Sequence, residues 1–181
     1  MEAMRYAKRT CTDQTKIDEF LNLAKTGALS MVDGEFPYVI PLNFVWHDGA
    51  IYFHGADAGR KERVLQANKN VCFLVSEEYG TITDPVPAET DTAYMSVMLF
   101  GKAERITELS QATGALQAML DKYVPGYYEQ QLSRQHVEKY RSSHGAQVAV
   151  YKITPTEVSA KVNPVNEQKM FMPGRRMQQD V

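Results

Sequence analysis

The stretch Ile51–Val75, IYFHGADAGRKERVLQANKNVCFLV, decides how this chain is built. It opens and closes on runs rich in β-branched and aromatic residues, which favour strands. Between them lie two glycines, a basic pair and a short amphipathic segment, which together spell a turn and a helix. Gly55 and Gly59 allow a tight turn with exposed backbone amides. A helix beginning near Gly59 or Arg60 would point its free N–H groups and the positive end of its dipole outward. Arg60 and Lys61 at that start are out of place electrostatically, because helix N-termini favour acidic residues. A bound phosphate would reverse the sign. The plainer alternative is a Gly-rich turn followed by a solvated basic helix start. The spacing is not that of a Walker-type loop, since Gly55 and Lys61 do not fit G-x-x-x-x-G-K-[ST].

Working outward, Thr12–Lys25 has helical periodicity through Ile17, Phe20, Leu21 and Ala24, with Thr12 or Asp13 as cap and Gly27 as a stop. Strands are expected at ALSMV, PYVIPLNFVW and AIYFH, and Asp48-Gly49 marks a hairpin. Pro37 and Pro41 cannot donate to a ladder, so their strand belongs at an edge, a bulge or a barrel corner. Ser76–Asp91 is polar and contains prolines, so it is expected to be a loop. TAYMSVMLFGKAERI follows as a long strand bent at Gly101. Leu109, Ala112, Leu116, Met119, Leu120 and Tyr123 form one helical stripe, and Tyr128–Tyr140 is a weaker helix. AQVAVYKI and EVSAKV are expected to be two closing strands.

Six or seven mainly antiparallel strands with flanking helices define an α+β chain. Residues 1–162 are expected to form the domain, and 163–181 an irregular C-terminal tail. With one strand–helix–strand unit in view, a doubly wound dinucleotide fold is excluded. A length of 181 residues with 44% hydrophobic residues suffices for a proper core. The net charge of −2 gives no basic footprint for nucleic acid. No apolar run is long enough to span a bilayer, and the N-terminus lacks the apolar centre of a signal peptide, so a cytoplasmic location with no membrane partner is expected. Cys11 and Cys72 are spaced neither as a disulfide framework nor as a metal site, and no metal is expected.

The ordered series VIPLNFVW, DGAIYFHGADAGRKERVLQANKNVCFLV and SVMLFGKA resembles the pyridoxamine 5′-phosphate oxidase-like flavoproteins, and within them the nitroimidazole-resistance proteins. The resemblance runs from about Met4 to Lys161. It implies a split β-barrel, a homodimer, and FMN at the dimer interface. His54, Gly55, Arg60 and Lys61 fall on the family's phosphate-binding turn. Pro41, Leu42 and Asn43 fall on the strand whose backbone meets the isoalloxazine ring, and Ser96 and Val97 on a neighbouring strand lining the same pocket. The Arg- and His-containing C-terminal signature of true pyridoxamine phosphate oxidases has no counterpart in NPVNEQKMFMPGRRMQQDV. The expected activity is therefore FMN-dependent reduction of a small planar electrophile, such as a nitroaromatic. A flavin-binding protein without catalysis, or a haem-handling relative, is the alternative on the same fold. His54 is the candidate catalytic group or a phosphate contact, and Trp46, Tyr94 and Met98 are candidates for the surface that meets the acceptor. His47 is expected in a turn, and His136 and His144 on the exposed surface or a helix.

Overall fold

The computed structural model describes residues 6–141, 145 and 147–180; His144 lies outside them. The chain begins with helix α1 (Gln14–Leu23), capped by Asp13, whose carboxylate accepts from the Lys16 amide. Its apolar face puts Ile17, Phe20 and Leu21 into the core. Seven strands follow: β1 (Thr26–Asp33), β2 (Phe36–Asn43), β3 (Val45–His47), β4 (Ala50–Ala56), β5 (Asn70–Ile82), β6 (Asp91–Arg105) and β7 (Val148–Asn163). Helix α2 (Arg60–Ala67) links β4 to β5, and α3 (Leu109–Tyr123) and α4 (Arg134–Lys139) lie between β6 and β7.

All seven strands belong to one sheet, paired antiparallel in the order β2-β1-β5-β6-β7-β4-β3. The sheet curls until β2 approaches β4, yet these two share no ladder. This is a split β-barrel with its seam between β2 and β4. One core, built around Phe44, Phe53, Phe73, Leu29, Val97 and Leu99, fills the barrel. Phe44 and Phe73 meet edge to face with centroids 5.1 Å apart. A second cluster joins Ala112, Ala115 and Met119 of α3 to Val45, Ala50, Tyr52 and Val150 on the outside of the barrel. β4 is therefore covered on both faces: Ile51 and Phe53 look inward, Ala50 and Tyr52 look toward α3.

The hairpin at Asp48-Gly49 is present, with both residues at positive φ (48° and 70°), as a two-residue turn of matching twist requires. β2 is an edge strand, which accounts for Pro37 and Pro41. Four expectations are corrected. Gly27 does not end α1, whose cap is Ala24. It sits in β1, where a Cβ would come within 2.3 Å of the Phe73 ring. The expected single strand from Pro37 to Trp46 breaks at Phe44, which turns its side chain fully into the core. Half of Ser76–Asp91 is strand: β5 and β6 run on as a ribbon paired to Ile82↔Asp91, and 83–90 connect them. None of the β5 residues Ser76–Ile82 is buried, although Met95 and Ala93 opposite them on β6 are. The two expected closing strands are one, β7, which absorbs Pro155 at an irregularity opposite Gly101.

After β7 the chain returns along the ribbon. Met170 bridges Ile82, the Phe171 amide donates to the Thr81 carbonyl, and Asp180 accepts from Thr83 Oγ1 at 2.9 Å.

Lys25 and Lys122 cap each other's helices, Lys25 Nζ donating to the Lys122 carbonyl (2.8 Å) and Lys122 Nζ to the Leu21 carbonyl (3.1 Å). Burial, reinforced by the Lys25 charge, lowers the Lys122 pKa to about 8. Between about 8 and the ordinary lysine value the unfolded chain binds this proton more than the folded one, so this group's contribution to stability rises with pH there. Below 8 both states are protonated and the full burial cost is present. Lys122→Met should flatten the rise of stability between pH 8 and 10 relative to the parent, measured by urea unfolding. Parallel pH profiles would contradict the assignment.

Candidate functional site

The seam between β2 and β4 collects the charged residues of the βα turn. β4 ends at Ala56, and Gly59, with φ 98°, precedes α2 without any side-chain cap, leaving the first-turn amides open. Arg60 swings across the seam. Its guanidinium stacks 4.2 Å above the Tyr38 ring of β2, and its Nε donates to Asp33 Oδ2 at 2.7 Å. Arg63 grips the same carboxylate through two bonds of 2.8 and 2.9 Å. Arg63 first, then Arg60, holds the Asp33 carboxyl down at about 2. The helix start is thus fastened to the β1–β2 hairpin.

Lys61 behaves differently. Its side chain folds back into the space left by the missing Cβ of Gly55; a Cβ there would lie 2.7 Å from Nζ. Nζ makes one long contact, 3.5 Å, to the Ala56 carbonyl, and sits 5.3 Å from the centre of the Tyr151 ring. Among the described residues no carboxylate lies within ion-pair distance of it. Burial pushes its pKa down; Glu62 acts against that shift and Arg105 adds to it. A half-buried ammonium with this little compensation, beside a glycine backbone and open helix amides, is suited to an anion such as a phosphate.

Beneath it lies a polar group that the sequence did not point to. Glu62, 4% exposed, accepts from Tyr151 Oη, from Arg105 Nη1 at 3.2 Å and from Gln66 Nε2 at 3.2 Å. Arg105 also lies 3.9 Å from Asp57. Glu62 reads locally as one more charge in GRKER; only the curl of the sheet brings the ends of β6 and β7 over it.

His54 is separated from Lys61 by the alternation of β4. Its ring is on the α3 side, with Nδ1 3.2 Å from Met119 Sδ, whereas Gly55 faces the barrel mouth. Burial, then the Lys61 charge, lowers the His54 pKa, so the imidazole is neutral at neutral pH. Leu42 packs against the core, and Pro41 and Asn43 are exposed on the outer face of β2, whose far edge pairs with no strand. Ser96 is on that same outer face, but β6 is not the neighbour of β2. β1 and β5 intervene, about 14 Å in three inter-strand steps. Val97 is fully buried and points into the core. Trp46 donates to Asp18 of α1 at 2.9 Å, and Tyr94 lies beside Arg9. Met98 lies on the outer sheet face, in the row Pro41–Ala28–Leu74–Met98, and Tyr94 shares that face of β6 further along the strand.

The model of the pyridoxamine 5′-phosphate oxidase family matches residues 13–162, and the chain belongs to that family. Among solved structures, the flavocytochrome Anf3 from Azotobacter vinelandii is 24% identical, with a TM-score of 0.75 over 92% of this chain and 76% of that one. A candidate 5-nitroimidazole antibiotic resistance protein from Bacteroides thetaiotaomicron is 25% identical, with a TM-score of 0.65 over 84% of this chain and 86% of that one. An FAD and haem binding protein from Mycobacterium smegmatis is 18% identical, with a TM-score of 0.69 over 94% and 78%. The first and third likenesses carry the fold. No curated protein sequence matches the chain. Among the described residues no helix is long and apolar enough to cross a membrane.

Proposed function

We propose that this protein is an FMN-dependent oxidoreductase acting on small planar electrophiles of the nitroaromatic kind. The observation that carries the reading is Lys61: an ammonium without a carboxylate partner, folded over Gly55 where the open amides of α2 and the free edge of β2 meet. Lys61, the Gly55–Ala56 backbone and the first turn of α2 would hold the phosphate. The unpaired backbone of Pro41–Asn43 would meet the ring. A bound flavin supplies the redox chemistry, and the protein supplies binding, orientation and access. No protein nucleophile is needed. His54, beside Met119 on the α3 side of β4, lies away from Lys61 and has no role in this reading. The structural relatives that bind FAD and haem leave the fold common to several cofactors, and the single phosphate-sized group of cations at the turn favours the mononucleotide.

The same reading makes the protein a homodimer. The outer face of β2-β1-β5-β6 carries Val39, Val32, Met98 and Phe100 in the open, with Pro41, Leu74 and Cys72 between them. An apolar sheet face beside an unpaired edge favours a second copy. A two-fold contact there would bring one protomer's β6 toward its partner's β2, closing the 14 Å separation noted above.

Anaerobic stopped flow tests the activity. The reduced, FMN-loaded protein should be reoxidised by a nitroimidazole faster than free reduced FMN is. A rate no greater than that of free FMN would leave a flavin binder without this activity.

A further inference from the structure

We propose that Glu62 and Tyr151 are positioning residues for the anion cradle: they fix the first turn of α2 so that the Lys61 ammonium stays over Gly55–Ala56, free for a phosphate. This rests on the flavin reading above. Lys61 and Glu62 are adjacent in sequence at a helix start, and an exposed glutamate there would neutralise the lysine field that a phosphate needs. Here the carboxylate is instead turned into the barrel mouth. Tyr151 and Gln66 donate to it, and Arg105 balances its charge. Tyr151 is itself packed, stacked on Phe53 with centroids 5.2 Å apart and planes 10° apart, and Phe53 is fully buried. The Tyr151 ring also forms the floor beneath Lys61 Nζ. One packed side chain thus holds the acid away and supports the base.

The geometry has a chemical consequence. Burial, and then the hydrogen bond to Glu62, raise the Tyr151 pKa well above the ordinary phenol value, so the hydroxyl keeps its proton and remains a donor across the working pH range. Asp57, 3.9 Å from Arg105, is the other acid that faces this group.

Tyr151→Phe removes the hydroxyl and keeps the ring stack. FMN and riboflavin dissociation constants should be measured by flavin fluorescence alongside thermal unfolding. The FMN constant should rise about tenfold, the worth of one hydrogen bond to a charged group, while the riboflavin constant stays unchanged. Glu62→Gln, which retains an acceptor for Tyr151, should keep most of the FMN preference, and Glu62→Ala should lose it. A Tyr151→Phe protein with its FMN preference intact, or with both flavins weakened equally, would overturn the proposal. A second readout needs no flavin. In the ligand-free protein, NMR should show Lys61 titrating below an ordinary lysine, and moving back up in Tyr151→Phe as Glu62 turns to pair with it. An unchanged Lys61 titration overturns the positioning role even where FMN binds well. A parent protein that binds FMN no better than riboflavin overturns the flavin-phosphate reading, and the positioning role with it.

Discussion

FMN is expected to bind at least about a hundredfold more tightly than riboflavin. A hydrogen bond to a charged group contributes about 1.5–3 kcal/mol, and each 1.4 kcal/mol is a factor of ten, so two such contacts to the phosphate give that ratio. The structure divides the two basic residues of the turn into unequal parts. Arg60 is committed to Asp33 and to the Tyr38 ring, whereas Lys61 has no acid of its own. Lys61→Met, which keeps the stem packed on Tyr151, should therefore cost at least about tenfold in FMN affinity, leaving riboflavin affinity and thermal stability nearly unchanged. Arg60→Ala should weaken FMN less and loosen the attachment of α2 to the β1–β2 hairpin. Fluorescence titration of both flavins against the three proteins checks this. Equal losses from the two substitutions would mean that the basic helix start is merely a solvated one.

The second large effect concerns the register shift between β6 and β7. Gly101 sits where β6 and β7 change register, and an added Cβ would lie 2.5 Å from the Thr154 carbonyl oxygen and 3.2 Å from Ile153. The obstructing atom is backbone in a paired strand, so a side-chain rotation cannot relieve it. Gly101→Ala should lower stability by about 2–3 kcal/mol, toward the upper end of overpacking costs. Gly114, exposed in the middle of α3, meets nothing within 4 Å at the same position. Gly114→Ala should raise stability by up to about 1 kcal/mol through helix propensity alone. Urea unfolding of the pair reads both signs, and a neutral Gly101→Ala would show that β7 can give way.

How far the sequence anticipated this molecule follows from the range of each signal. Local signals were read well. The Asp48-Gly49 turn, the Asp13 cap, the prolines of an edge strand and the irregularity at Gly101 each depend on a few adjacent residues. The Gly-rich turn with its basic pair was equally visible, because a cation at a helix start is a local anomaly. Long-range facts were not legible. Ser76–Asp91 looks like a loop because its strand residues, Ser76–Ile82, bury no side chain and so show no apolar alternation. Pro155 divides β7 in the sequence, and only its pairing partner shows that the strand continues. Val97 and Ser96 are consecutive, so one must enter the core when the other leaves it. Alternation also parts His54 from Lys61. The Glu62–Tyr151–Arg105 group joins residues 43 and 89 positions apart, and no spacing within GRKER announces it.

The central claim is that the seam at Gly55, Lys61 and the edge of β2 holds a flavin mononucleotide. Its most direct measurement is the visible absorbance of the protein after incubation with FMN and removal of free ligand by gel filtration, run beside the Lys61→Met variant. Flavin bands should travel with the protein in near-stoichiometric amount, and should be lost or strongly reduced in the variant at the same protein concentration. A colourless parent protein would contradict it, as would a variant that carries as much flavin as the parent.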